Sequence, residues 1–154
     1  MFSPYSPSHR RRLNVLHLAT ETGVPGALID YQTDTPARMT ALRQAFEAHP
    51  TSPEFLAYLA QEGTSLETFA LHQALSAIHG PFWCDWPPDL QYPNSATAQA
   101  ARRDLRDEIL FHAWLQWRAD TDLSEAQAQA KAVGMAHGLY LSLIHISEPT
   151  RRTP

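Results

Sequence analysis

The eight histidines are the first residues to consider for metal chemistry. None of them stands in an HExxH spacing, and the chain has no CxxC pair. His72 and His79 share a helix face but lie two turns apart, which is too far for both to bind one metal ion. The pattern therefore predicts ordinary surface or half-buried helix histidines and no metal site. His112 has aromatic neighbours in the sequence, so we expect it to be packed and not to act as a base.

Cys84 is the single cysteine, which excludes an internal disulfide framework. A cysteine nucleophile needs a neighbouring base to form its thiolate. Asp85 is a poor base, and nothing in the sequence places a histidine beside the thiol. We therefore interpret Cys84 as a structural thiol.

Two groups of carboxylates could suggest hydrolytic chemistry. A retaining glycosidase needs two carboxyl groups about 5 Å apart that project into a cleft. The acidic residues here fall within a predicted helix or in a loop between two helices, and they are Asp104, Asp107, Glu108, Asp120 and Asp122. Arg103 and Asp107 have the i,i+4 spacing typical of a solvated helix face. We assign no catalytic residue to this chain.

The segment around Tyr5 is the strongest candidate for ligand binding. Pro4 and Pro7 stiffen the backbone on either side of Tyr5, and Ser3 lies next to this turn. We expect an exposed, rigid tyrosine ring, which is a suitable platform for the C–H face of a sugar. The basic run at 9–12 then supplies arginines that could meet carboxylates or sugar hydroxyls.

Composition limits the remaining function classes. The chain has 154 residues, 12 Lys+Arg, 16 Asp+Glu and a formal net charge of -4. This mild acidity argues against a nucleic-acid partner, since such proteins usually carry a basic excess. No apolar run approaches the length of a membrane span, and the N-terminus does not have the pattern of a secretory signal. We expect a single domain in the cytoplasm, without a membrane partner.

Helices dominate the predicted structure of the first half. Residues 13–18 form a short apolar segment typical of a buried strand, and residues 20–35 are predicted to be a loop. Thr35 and Ser52 are predicted N-caps, each followed by a proline at the first helical position. The first of these helices should pack Met39, Leu42, Ala45 and Phe46 inward, and the second Phe55, Leu56 and Leu59. We expect Gly63 to end the second helix and a Thr64–Glu67 capping box to begin a third.

An aromatic loop divides the chain at 80–94, where four prolines and a glycine exclude long regular elements. Its aromatic side chains must either pack or stay exposed for a partner, and we favour packing. Ser95 is predicted to cap a helix at 96–118, followed by a helix at about 124–134 and a strand at 137–141.

The order of these elements predicts an α/β protein with two parallel strands. Two strands alone do not make a sheet that could cover the helices. Either chain outside this sequence completes the sheet, or the protein is helical with irregular ends.

Residues 142–154 break this pattern. The string SLIHISEPTRRTP closely resembles translated sequencing-adapter read-through. We expect it to be a non-native tail and exclude its arginines from any binding patch.

Four segments resemble, in order, the amylomaltases, which are the 4-alpha-glucanotransferases of glycoside hydrolase family 77. They are SPYSPSHRRRLN at 3–14, SLETFALHQALSAIHG at 65–80, FWCDWPPDLQYPNS at 82–95, and the block that begins EILFHAW at 108–141. The resemblance covers nearly all of residues 3–141. It implies that this chain is part of a (β/α)8 TIM barrel, comprising helical insertions and two barrel strands.

The resemblance also implies an activity. An α-1,4-glucan would be transferred to the 4-hydroxyl of glucose or of another glucan, through a covalent intermediate on an aspartate. No cofactor would be required. Tyr5 matches the tyrosine that stacks on the sugar, Ser3 the serine beside it, and Asn14 the asparagine of an Asn-Pro pair whose proline is here Val15.

The family's catalytic carboxylates match no position within residues 1–141, so we expect the 154-residue chain alone to be inactive. A second hypothesis remains open from the residues themselves. The chain could be a non-enzymatic helical interaction module that binds a partner through the aromatic loop at 82–92. A stable module should unfold cooperatively, whereas a barrel fragment should expose apolar surface.

Overall fold

The computed structural model describes residues 4–5, 31–48 and 50–139. The predicted strand at 13–18 and most of the predicted loop at 20–35 lie outside these ranges, as does the tail at 142–154. Four α-helices make up most of the described chain: α1 (Tyr31–Ala48), α2 (Pro53–His79), α3 (Ala96–Asp104) and α4 (Arg106–Ala132). The chain divides into two compact units, residues 1–119 and 120–154.

Helix α1 begins one turn before the predicted cap at Thr35, so that expectation is wrong. Pro36 lies inside the helix. Its missing N–H removes only the bond to the carbonyl four residues earlier, so the helix extends on its N-terminal side at some cost in stability. The predicted inward face is confirmed for Leu42 and Phe46, which are buried, whereas Ala45 is exposed.

Helix α2 begins as predicted. The Ser52 hydroxyl accepts a hydrogen bond from the Phe55 N–H at 3.2 Å, and Pro53 occupies the first helical position. Phe55 is fully buried, but Leu56 is 51% exposed, so its predicted inward position is wrong. Successive helix positions are about 100° apart, and the stripe that includes Phe55 leaves Leu56 on the solvent side.

Gly63 marks a kink and not the end of the helix. Its φ of 55° and ψ of -144° are non-helical, yet helical structure resumes and continues to His79. This backbone conformation is open to glycine and very costly for residues with a Cβ atom. The predicted break point is therefore in the right place, while the two predicted helices are joined into one element. The predicted end at Gly80 is confirmed, since the Gly80 N–H donates to the Ser76 carbonyl at 3.0 Å.

The aromatic loop at 80–94 contains only two 3₁₀ helices, Trp83–Asp85 and Pro88–Leu90. The Ser95 hydroxyl then accepts from the Ala98 N–H at 3.0 Å and begins α3, as predicted. The single predicted helix at 96–118 is wrong, because Leu105 leaves the helical region with φ -102° and ψ 22°. Arg103 and Asp107 consequently lie on two different helices, not on one i,i+4 face.

The core of the first unit is strongly aromatic. Phe46 of α1 lies 5.6 Å from Phe111 and 5.8 Å from Trp114, both of α4. Phe55 of α2 lies 5.7 Å from Trp117. These centroid distances are typical of favourable aromatic pairs, which join α1, α2 and α4 beyond simple apolar burial. His112 lies 5.5 Å from Phe111, which confirms that it is packed.

Residues 120–139 differ from the sequence prediction in two ways. Helix α4 continues without a break past Ser124, because alanine and glutamine are good helix formers and nothing interrupts them. It ends at a Schellman motif, in which the N–H groups of Gly134 and Met135 donate to the Lys131 and Ala130 carbonyls.

The predicted strand at 137–141 is not supported by the part that can be described. Residues 137–139 are not in a strand, and the Leu139 N–H donates to the Gln127 side-chain oxygen at 2.6 Å. Residues 31–48 and 50–139 are helical or irregular and contain no strand. This described part of the chain therefore does not support the α/β prediction.

Candidate functional site

Of the three predicted sugar-binding residues, the structure describes Tyr5, while Ser3 and Asn14 lie outside the described ranges. Tyr5 is fully buried, with 0% of its surface exposed. The expectation of an exposed tyrosine platform is therefore wrong in this structure. Prolines do hold the backbone stiff, but they do not determine which face of the protein the ring meets.

Two rings from distant parts of the chain pack against Tyr5. The His72 ring of α2 lies 5.6 Å from the Tyr5 ring, and the Trp86 ring of the aromatic loop lies 5.7 Å from it. The Tyr5 hydroxyl donates a hydrogen bond to the Leu90 carbonyl oxygen. Tyr5 is thus held by ring packing and by a polar contact at its tip, the arrangement that buried tyrosines prefer.

Trp86 is the centre of this cluster and is 2% exposed. Its indole N–H donates to the Gly80 carbonyl at 2.8 Å, at the C-terminal end of α2. The Gln91 side-chain amide donates to the Trp86 carbonyl at 2.8 Å and to the Cys84 carbonyl at 3.0 Å. These bonds hold Trp86 at both its indole N–H and its backbone carbonyl.

The two histidines of α2 flank the same indole. The Trp86 ring lies 5.1 Å from His72 and 6.2 Å from His79, which confirms that the histidines share a helix face. Burial lowers the pKa of His72, so the neutral imidazole is favoured near neutral pH. His72 therefore packs against the indole as a neutral ring. Within the described part of the chain, no group of three His, Cys, Asp or Glu residues could hold a metal ion.

Arg102 of α3 supplies the positive charge near Tyr5. It donates to the Glu67 carboxylate at 2.9 Å, and at 3.4 Å to both the Thr68 hydroxyl and the Pro93 carbonyl. Burial raises the pKa of Tyr5, and the Arg102 charge acts in the opposite direction. Glu67, predicted to belong to a capping box, therefore pairs with a different helix.

The remaining chemical candidates are Cys84, Glu108, Asp120 and Asp122. Cys84 is an exposed free thiol. Glu108 forms a two-pronged pair with Arg43 at 3.0 and 2.7 Å, and both side chains are about 40% exposed. Asp120 and Asp122 lie within α4, so their predicted position in a loop between helices is wrong.

The packing expected for the aromatic loop is confirmed for Trp86 and in part for Trp83, which is half-buried against the core, but not for Phe82 and Tyr92. Phe82 is 70% and Tyr92 65% exposed. Sequence reasoning did not pair Trp86 or Leu90 with Tyr5. The sequence does indicate that Tyr5 and Trp86 would each need a hydrogen-bond partner if buried. It does not indicate which residue provides that partner.

Comparison with known proteins identifies the family. A family model of the 4-alpha-glucanotransferases, glycoside hydrolase family 77, matches residues 1–142. The chain belongs to this family, which is one of TIM-barrel enzymes. The predicted resemblance is confirmed, and it favours the enzyme hypothesis over the helical interaction module.

Named relatives agree with this assignment. The chain is 30% identical over 168 residues to a 4-alpha-glucanotransferase of Mycobacterium tuberculosis H37Rv, covering 92% of this chain and 23% of that protein. It is 31% identical over 122 residues to one from Thermus thermophilus, covering 75% of this chain and 24% of that protein. A Haemophilus influenzae 4-alpha-glucanotransferase is 28% identical over 184 residues, covering 90% and 26% respectively. The chain thus spans about a quarter of the length of these relatives.

Proposed function

We propose that this chain is a segment of a cytoplasmic 4-alpha-glucanotransferase. The complete enzyme would transfer α-1,4-glucan segments from a maltooligosaccharide to the 4-hydroxyl of glucose or of another glucan. The observation that carries this proposal is the family match over residues 1–142. No helix within residues 31–48 and 50–139 is long and apolar enough to span a membrane.

The proposed reaction is a retaining double displacement. An aspartate attacks the anomeric carbon while a glutamic acid protonates the leaving sugar, and a glucan hydroxyl then displaces the aspartate. The two carboxyl groups must lie about 5 Å apart. We propose that both belong to parts of the enzyme outside residues 1–141, and that residues 142–154 are not native. We propose that residues 13–18 form a barrel strand, which would be the contribution of this chain to the barrel.

The proposed share of this chain in glucan binding is the loop that carries Ser3 and Tyr5, together with Asn14. The ring of Tyr5 is covered by His72 and Trp86. We therefore propose that Tyr5 acts mainly by fixing this loop, while Ser3 and Asn14 offer hydrogen-bonding groups to the sugar hydroxyls.

The experiment that tests the function starts at the gene. The locus is read across codon 141, and the complete protein is expressed and incubated with maltotriose. We expect the frame to continue into barrel segments with an aspartate and a glutamate, and maltotriose to become glucose and longer glucans. A frame that ends in SLIHISEPTRRTP, or a complete protein that releases glucose without longer products, would contradict the proposal.

A further inference from the structure

We propose that Phe82 and Tyr92, the two exposed aromatic side chains of the loop at 80–94, form a contact site on which an α-1,4-glucan chain stacks. The function proposed above supplies the identity of the glucan, and the inference rests on it to that extent. It assigns a role to the part of the aromatic loop that does not pack into the core.

The first support is the exposure of the two rings. Phe82 is 70% and Tyr92 65% exposed, whereas Trp86 and Leu90 of the same loop are buried. The face of an aromatic ring carries partial negative charge, so it attracts the C–H groups of a sugar. The two rings therefore present to solvent the kind of surface on which a sugar ring stacks.

The second support is that the backbone is held at both rings. The Phe82 carbonyl accepts a hydrogen bond from the Asp85 N–H at 3.0 Å, and the Tyr92 carbonyl accepts one from the Ser95 N–H at 3.2 Å. The Gln91 side-chain amide also bonds to two carbonyl oxygens of the turn that follows Phe82, at 3.0 and 2.8 Å. A backbone that is already ordered loses less conformational entropy when a ligand binds.

The third support is the charge of the loop. Residues 80–94 include the exposed Asp85 and Asp89 and contain no lysine or arginine. Arg102, which contacts this loop from α3, is paired with Glu67 at 2.9 Å. Such a surface disfavours phosphorylated and other anionic ligands, while carboxylate oxygens accept hydrogen bonds from sugar hydroxyls. An uncharged chain rich in hydroxyl groups therefore suits it.

The exposed area favours an oligosaccharide over a protein partner. An aromatic side chain has about 150–250 Å² of surface, so the exposed parts of the two rings amount to about 200–340 Å² together. A stable protein–protein interface takes about 800 Å² from each partner. Two rings suffice for stacking on a few sugar units, whereas they are small for a protein interface.

Substitutions in the complete enzyme test this contact. Phe82→Ala and Tyr92→Ala each remove one ring, and the double variant removes both. Leu56→Ala is the matched control, since Leu56 is likewise an exposed apolar side chain, at 51%, but lies on α2. Affinity electrophoresis in gels of increasing amylose content gives a dissociation constant for each protein, and thermal unfolding gives its stability.

We expect each single substitution to raise the Kd for amylose about threefold and the double substitution about tenfold, as for the loss of one stacking contact per ring. Leu56→Ala should keep the wild-type Kd. The melting temperatures should all stay within about 2 °C of the wild type, because exposed side chains contribute little to the core.

Two outcomes overturn the contact while the proposed function stands, provided that the wild type converts maltotriose. One is a double variant that keeps the wild-type Kd for amylose, whether or not its melting temperature falls. The other is an oligomer that the wild type forms and the ring variants lose at an unchanged Kd, which would assign the loop to a protein interface.

Failure of the proposed function gives a different result. A wild type that neither binds amylose nor transfers glucan contradicts both the function and the contact. A wild type that binds amylose through these rings but transfers no glucan contradicts the function alone. Should the double variant not fold, the Kd values of the two single variants against that of Leu56→Ala decide the question.

Discussion

The Tyr5 hydroxyl donates its hydrogen bond to the Leu90 carbonyl oxygen, 85 positions further along the chain. This bond joins the start of the sequence to the aromatic loop between α2 and α3. Tyr5 is fully buried, and the aromatic loop forms part of the surface that buries it. The turn that resembles a sugar-binding loop is therefore positioned by tertiary contacts as well as by its own prolines.

Tyr5→Phe should destabilise the fold by about 1–2 kcal/mol, because it leaves the Leu90 carbonyl without this donor while the ring stays in place. Urea unfolding of the complete enzyme measures the change. Tyr92→Phe is the control, since Tyr92 is 65% exposed and should change stability by less than about 0.5 kcal/mol. Equal losses of unfolding free energy in Tyr5→Phe and Tyr92→Phe would contradict a stabilising hydrogen bond from Tyr5 to Leu90.

The phenol of Tyr5 should titrate above the ordinary tyrosine pKa of 10.0, because burial disfavours its charged form more than Arg102 favours it. The unfolded state loses this proton first, so the contribution of Tyr5 to stability is present below pH 10 and is lost as the pH rises through its folded pKa. The difference in tyrosinate absorbance between wild type and Tyr5→Phe isolates this one group. A difference spectrum with its midpoint at or below pH 10 would refute the prediction.

His72 should make the fold sensitive to acid. Its pKa is lowered by burial, so the unfolded state binds a proton more readily than the folded state. Its contribution to stability is present above pH 6.5 and is lost as the pH falls through the folded pKa. His72→Phe keeps a ring beside Trp86 and should flatten the decline in unfolding free energy below pH 6.5.

The control for this effect is His137→Phe, because His137 is exposed. It should leave the acid dependence of the wild type unchanged. Half-buried His112 also has a pKa lowered mainly by burial and remains in both variants, so some acid dependence should persist in each. An unaltered acid slope in His72→Phe would contradict the prediction.

Gly63→Ala should destabilise the chain by about 1–3 kcal/mol, through backbone strain and not through a clash. No atom lies within 4 Å of the position that its Cβ would take, whereas φ is 55°. Ala60→Gly, at an exposed position of the same helix, should cost about 1 kcal/mol through helix propensity alone. A stabilised Gly63→Ala protein would show that α2 can straighten, and that the kink is not required by the fold.

The features that could be predicted from sequence are the local ones. Ser52 and Ser95 cap helices because their hydroxyls bond to N–H groups three residues away, and Gly80 ends a helix through its own conformation. Such interactions are encoded within a few positions. The family resemblance was likewise carried by short motifs.

The features that were missed depend on contacts across the chain or on weak local signals. The burial of Tyr5 is decided by Trp86 and His72, and no spacing near Tyr5 indicates them. The break at Leu105 lacks a glycine or proline to mark it, and the serine at 124 suggested a cap where the helix simply continues. Tertiary packing determines such positions more strongly than propensity does.

We propose that this chain carries part of the glucan-binding structure of a 4-alpha-glucanotransferase without its catalytic carboxylates. The most direct test incubates the purified 154-residue chain with maltotriose and separates the products, with the complete enzyme as positive control. We predict that the complete enzyme forms glucose and longer glucans, while the chain alone leaves maltotriose unchanged. Glucose and longer glucans formed by the chain alone would contradict the account, because the carboxylates would then have to lie within it.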